Sequence, residues 1–150
     1  MSEVSGRGAR VLDASTPWTV LADPEGGELC AFVRPAAELE TYRFYELVVD
    51  AVEPDVIARW WGAQLGVEVT DEEGEGFSWL EPADRLPWEI VFQGVSEPKT
   101  VKNRIHVDLW GDVETLVAAG ARVLRARDTE IEWDVLADPE GNEFCVFSRP

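Results

Sequence analysis

The sequence predicts an α+β chain: two tandem βαβββ modules preceded by a partial repeat of β-strands. Three observations carry that reading. Residues 18–35, WTVLADPEGGELCAFVRP, recur as residues 133–150, WDVLADPEGNEFCVFSRP, with five of eighteen positions different, and a repeat of this kind decides how a chain is divided. Two stretches, 44–52 and 104–110, alternate apolar and polar residues as half-buried strands do. Each is followed by a short helical pattern and three more β segments. The duplication extends upstream, since Gly8-Ala9-Arg10-Val11-Leu12 matches Gly120-Ala121-Arg122-Val123-Leu124. The first copy therefore looks like the tail of a module without its head. The expected division is residues 1–40 as partial repeat and linker, and residues 41–150 as a complete domain.

Each element has a local reason. Residues 9–13 and 18–33 read as strands, with Asp23 to Gly27 as a turn in which Pro24 fixes φ and the glycines tolerate positive φ. In the strand at 44–52, Phe44, Glu46, Val48 and Asp50 point one way, while Tyr45, Leu47, Val49 and Ala51 form an apolar face that needs a helix. Pro54 and Asp55 open that helix, Val56, Ile57, Trp60, Trp61 and Leu65 give its apolar stripe, and Gly66 ends it. Strands at 67–71, 77–81 and 88–95 follow. After a polar connector at 96–103 with both lysines of the chain, the order repeats. A strand at 104–110 puts Ile105, Val107 and Leu109 on one face and Arg104, His106, Asp108 and Trp110 on the other. A helix runs from Asp112 as N-cap to Gly120, and strands at 122–126, 131–136 and 143–147 complete the module.

Composition narrows the function classes. In 150 residues, thirty acidic against thirteen basic side chains give a net charge of −17, which repels phosphate backbones and anionic lipid surfaces. Neither nucleic acid nor a membrane is an expected partner. There is no membrane-length apolar run and no apolar signal core at the N-terminus, so the cytoplasm is the expected location. Cys30 and Cys145 occupy equivalent places in the repeat, outside any CxxC spacing, and read as packed thiols.

The order of elements, with NRIHVDLW, LGVEV and DPEGNEFCVF, resembles the glyoxalase-like domains of the vicinal oxygen chelate superfamily, which includes glyoxalase I, bleomycin-resistance proteins and extradiol dioxygenases. The resemblance covers residues of about 44 to 150. It implies curled half-barrel sheets with helices on the convex side and a small organic ligand or a metal on the concave side, in a cleft between the modules. There the faces bearing Glu46 and His106 would look at each other. The superfamily's metal positions fall on Glu46, Val91, His106 and Cys145, a departure from its usual set, since valine cannot ligate and a thiol replaces a carboxylate. Glu89, Gln93 and Glu143 are the nearest substitutes on the same faces. No cofactor is implied outright, and a divalent metal is the reading this donor set leaves open. The ligand-binding set is Glu46, Trp79, Gln93, Arg104, His106, Asp108 and Cys145. Trp79, Trp88 and Trp110 are the candidates for lining a pocket, whereas Trp60 and Trp61 read as core and Trp18 and Trp133 as structural. Metal-dependent lyase, isomerase or dioxygenase chemistry and drug sequestration of the bleomycin-resistance type are the alternatives to simple ligand binding. For the headless repeat, strand addition to another sheet, within the chain or in a homodimer, stands beside a lost native start.

Overall fold

A computed structural model describes residues 8–35, 44–72, 74–84 and 86–148. The chain divides into two compact units, residues 1–43 and residues 44–150. In the first unit, β1 (Arg10–Asp13), β2 (Thr19–Ala22) and β3 (Glu28–Ala31) form an antiparallel sheet in that order. Asp23 closes the β2–β3 turn by accepting from the backbone N–H groups of Glu25 at 2.8 Å and Gly27 at 2.7 Å.

The second unit holds two modules of like topology. In the first, β4 (Glu46–Ala51), α1 (Pro54–Leu65), β5 (Val69–Asp71), β6 (Phe77–Leu80) and β7 (Glu89–Gly94) give a sheet ordered β4-β7-β6-β5. In the second, β8 (Val107–Trp110), α2 (Val113–Ala118), β9 (Arg122–Arg125), β10 (Asp134–Ala137) and β11 (Glu143–Phe147) give β8-β11-β10-β9. The first and last strands of each module pair in parallel and the rest antiparallel.

The helix signals hold: Gly66 ends α1 at φ 67°, and Asp112 caps α2 by accepting from Thr115 N–H at 2.8 Å. Strand β8 starts later than the alternation at 104–110 predicts. Residue 103 is tied to the β10–β11 turn by side chains, Asn103 N–H donating to Glu143 Oε2 at 3.1 Å and Asn103 Nδ2 to Asn142 Oδ1 at 2.9 Å, and ladder pairing begins only at Val107 opposite Phe144.

One core serves both modules. Ala51, Ile57, Ala58, Trp61, Leu80 and Phe92 from the first join Leu116, Ala121, Leu136, Phe144 and Val146 from the second in a single buried cluster. Helix α1 lies between the sheets: Gly62 abuts Val69 and Leu80 on one side, and the Trp61 ring meets Phe144 on the other, centroids 5.1 Å apart. The turn between β10 and β11 fastens that helix. Asp138, 3% exposed, accepts from Trp61 Nε1 at 3.0 Å. Glu140 accepts from Val52 N–H and Glu53 N–H, each at 2.7 Å, and so satisfies donors at a helix start whose own N-cap residue, Glu53, supplies no side-chain bond. Trp60 Nε1 adds a bond to Ala119 O at 2.7 Å.

Candidate functional site

The shared core dictates which faces are available. Val49 and Ala51 on β4, and Val107 and Leu109 on β8, pack inward, so the alternate residues Glu46, Val48 and Asp50, and Asp108 and Trp110, turn outward on different sheets. The expected meeting of Glu46 and His106 across one hollow is not made within residues 44–148, because α1 and its apolar neighbours occupy the space between the sheets. Both outward faces carry residues singled out above.

On the first sheet, Glu46, half-buried, pairs in register with Glu89, Val48 with Val91, and Asp50 with Gln93. Trp79 lies opposite Val91 on β6, half-buried, and its Nε1 donates to Glu81 Oε1 at 2.9 Å. Thr70 also donates its hydroxyl to Glu81. Trp88 is 41% exposed and meets Phe44 edge to face at 5.1 Å. Gln93 is exposed.

The second sheet gathers the reactive groups. Parallel pairing sets Asp108 beside Cys145, and His106 precedes Asp108 by two residues. His106 Nε2 lies 3.4 Å from Asp108 Oδ1, and the donor atoms of His106, Asp108 and Cys145 all fall within 4.8 Å of one another. His106 and Asp108 are open to solvent, whereas Cys145 is 6% exposed. Burial, and then the charge and hydrogen bond of Asp108, push the Cys145 thiol above its ordinary value, partly offset by Lys102. It is thus a thiol and not a primed nucleophile. Arg104 is exposed just upstream. Glu143, one step along β11, takes a salt bridge from Lys99 Nζ at 3.0 Å. Burial opposes ionisation of Glu143, but the Asn103 N–H and Lys99 outweigh it and hold the carboxyl below its usual range.

An aromatic row continues the same face. Trp110 stands opposite Phe147 in the parallel ladder, ring centroids 5.8 Å apart, and Trp133 lies 5.5 Å from Phe147 on the other side. Trp110 is 65% exposed. Trp133, read from sequence as structural only because it is duplicated, belongs to this row. The duplication itself preserves the arrangement: Trp18 and Phe32, its counterparts, stack at 5.7 Å and 34° where Trp133 and Phe147 stack at 5.5 Å and 31°. Of the predicted set, His106, Asp108 and Cys145 come together, with Arg104 adjacent in sequence, while Glu46, Trp79 and Gln93 sit on the other sheet.

The donor set at the superfamily's metal positions does not suit a hard divalent ion. Val91 offers no donor atom, Glu46 lies outside the cluster, and Cys145 presents sulfur where magnesium or manganese takes oxygen.

Comparison with known proteins agrees with this architecture. A family model described as "Glyoxalase-like domain" matches residues 46–147. A glyoxalase/bleomycin resistance protein/dioxygenase family enzyme from Burkholderia phytofirmans PsJN is 19% identical, with a TM-score of 0.50, covering 69% of this chain and 95% of that one. A glyoxalase-related enzyme from Fulvimarina pelagi is 17% identical at a TM-score of 0.52, covering 72% and 88%. A glyoxalase I mutant from Zea mays is 13% identical at a TM-score of 0.62, and the match spans 98% of this chain but 62% of that one. At these identities the likeness is one of fold. No curated protein matches the sequence. No helix among the described residues is long and apolar enough to cross a membrane.

Proposed function

This chain belongs to the glyoxalase-like domain family, and on that premise we propose that it binds a small planar organic molecule on the outward face of the β8-β11-β10-β9 sheet. The observation that carries the reading is the aromatic row of exposed Trp110 and half-buried Phe147 and Trp133, laid beside the polar trio His106, Asp108 and Cys145. Flat rings supply contact area at little entropic cost, and a few polar groups at one edge fix orientation. His106 is the chain's single imidazole, and beside Asp108 it offers a ring nitrogen to hydrogen-bond a ligand on this face. Glu46, Trp79 and Gln93 would line a separate face under this reading and contribute nothing to the same ligand.

The net charge of −17 favours cationic ligands, which supports sequestration of a cationic drug as the second reading. Tryptophan-fluorescence titration tests both, with neutral and cationic planar aromatics in the presence of a chelator. We expect saturable quenching that Trp110→Ala weakens by roughly tenfold, about the 1.4 kcal/mol of one aromatic contact, and that Trp79→Ala leaves in place. Quenching lost in Trp79→Ala and kept in Trp110→Ala would move the site to the first sheet. Preference for the cationic set alone would select sequestration.

A further inference from the structure

We propose that His106, Asp108 and Cys145 form a three-donor site, contained within the second module alone, for a thiol-preferring divalent ion of the zinc class. A tetrahedral centre with bonds of about 2.0 Å to nitrogen and oxygen and about 2.3 Å to sulfur holds its donors roughly 3.3 to 3.5 Å apart. The His106–Asp108 separation of 3.4 Å already meets that figure, and no donor pair in the trio exceeds 4.8 Å. The parallel ladder fixes the backbones of Asp108 and Cys145 side by side, and His106 and Asp108, the two exposed donors, are the groups that close the remaining gap.

The donor chemistry chooses the ion. One imidazole, one carboxylate and one thiolate make a borderline-soft set that suits zinc or cobalt and discriminates against magnesium and manganese. Binding releases the Cys145 thiol proton to solvent, and the resulting thiolate together with the Asp108 carboxylate neutralises the divalent cation. Three protein donors would leave one tetrahedral position for a water or another exogenous ligand. The arrangement differs from a centre shared between two modules: every donor comes from β8, the residues just before it, and β11, and Glu46 takes no part.

The test uses the full chain stripped with a chelator and titrated with cobalt(II) alone. A thiolate-to-cobalt charge-transfer band in the near ultraviolet and tetrahedral d–d absorption should grow to one equivalent and be displaced by zinc(II), but not by magnesium or manganese. Cys145→Ser should abolish the charge-transfer band, and Cys30→Ser should leave it intact. His106→Ala and Asp108→Asn, both at exposed positions, should each weaken cobalt binding by at least about tenfold while circular dichroism shows the fold retained. Absence of the band in the parent chain, its survival in Cys145→Ser, or its loss in Cys30→Ser overturns the site. Loss of binding in Glu46→Gln would restore a centre built from both modules and equally overturn the proposal. The fluorescence titration above is run with chelator present, so ligand binding and metal binding stand or fall separately.

Discussion

Replacing Asp138 by alanine leaves the Trp61 indole N–H facing a buried space without its acceptor and strips two backbone N–H groups, Glu140 and Asn142, of theirs. The cost should be about 2–4 kcal/mol, seen as a lower melting temperature. Asp138→Asn, which keeps one oxygen, should recover part of it. An unchanged melting temperature would show that the bond to Trp61 is dispensable. The sequence made the turn legible, since Asp-Pro-Glu-Gly between two apolar runs names its own geometry. It could not show that the carboxylate reaches 77 residues back along the chain to an indole, because nothing in a turn signal encodes a long-range partner. The same limit applied to the candidate site. His106 and Asp108 are singled out by strand alternation and Cys145 by the superfamily resemblance, its repeat position alone pointing to a packed thiol, but their convergence depends on the parallel register of β8 against β11, which no local pattern specifies.

Among the elements, α1 shows tertiary packing overriding propensity. Glycine inside a helix costs about 1 kcal/mol relative to alanine, so Gly62→Ala would stabilise an isolated helix. In the folded chain a Cβ at Gly62 would stand 2.5 Å from Val69 Cγ2 and 3.1 Å from the Val67 carbonyl oxygen. Overpacking of this kind costs about 1–3 kcal/mol, and we expect Gly62→Ala to lower the melting temperature. A rise would mean that β5 can back away from the helix. The helix was legible from Pro54, its apolar stripe and Gly66, whereas its position between two sheets was not. A stripe with two adjacent tryptophans is wide enough to serve two surfaces, and Trp61 at 6% exposure does serve two. That placement is also why Glu46 and His106, symmetric in sequence, end on faces turned apart.

At the scale of the whole molecule, stability should form a plateau in pH bounded by groups at its two ends. Glu143, Asp112 and Asp128 are held below their ordinary values of 4.5, 3.8 and 3.8. Their contribution is present above those values and fades as acid protonates them through their lower folded values. The Cys145 thiol is raised above 9.0, so its contribution is complete below that point and is lost as pH rises and the unfolded thiol ionises. Melting temperatures measured across pH should therefore fall on both sides, and Cys145→Ala should flatten the alkaline side selectively. An alkaline limb unchanged in that variant would assign it to other groups. The architecture was legible at this scale, since a repeat plus two alternating strands fixed the module order. The division of labour between the modules was not.

The carboxylate of Glu140, holding the Val52 and Glu53 N–H groups just ahead of α1, ties an early segment of the chain to one of the last. While the protein is being synthesised, the helix at 54–65 has neither its terminal acceptor nor the Asp138 oxygen for its indole until residues near 140 have left the ribosome. A chain cut before that turn would lack both acceptors and would leave uncovered the Trp61 ring that Phe144 packs against.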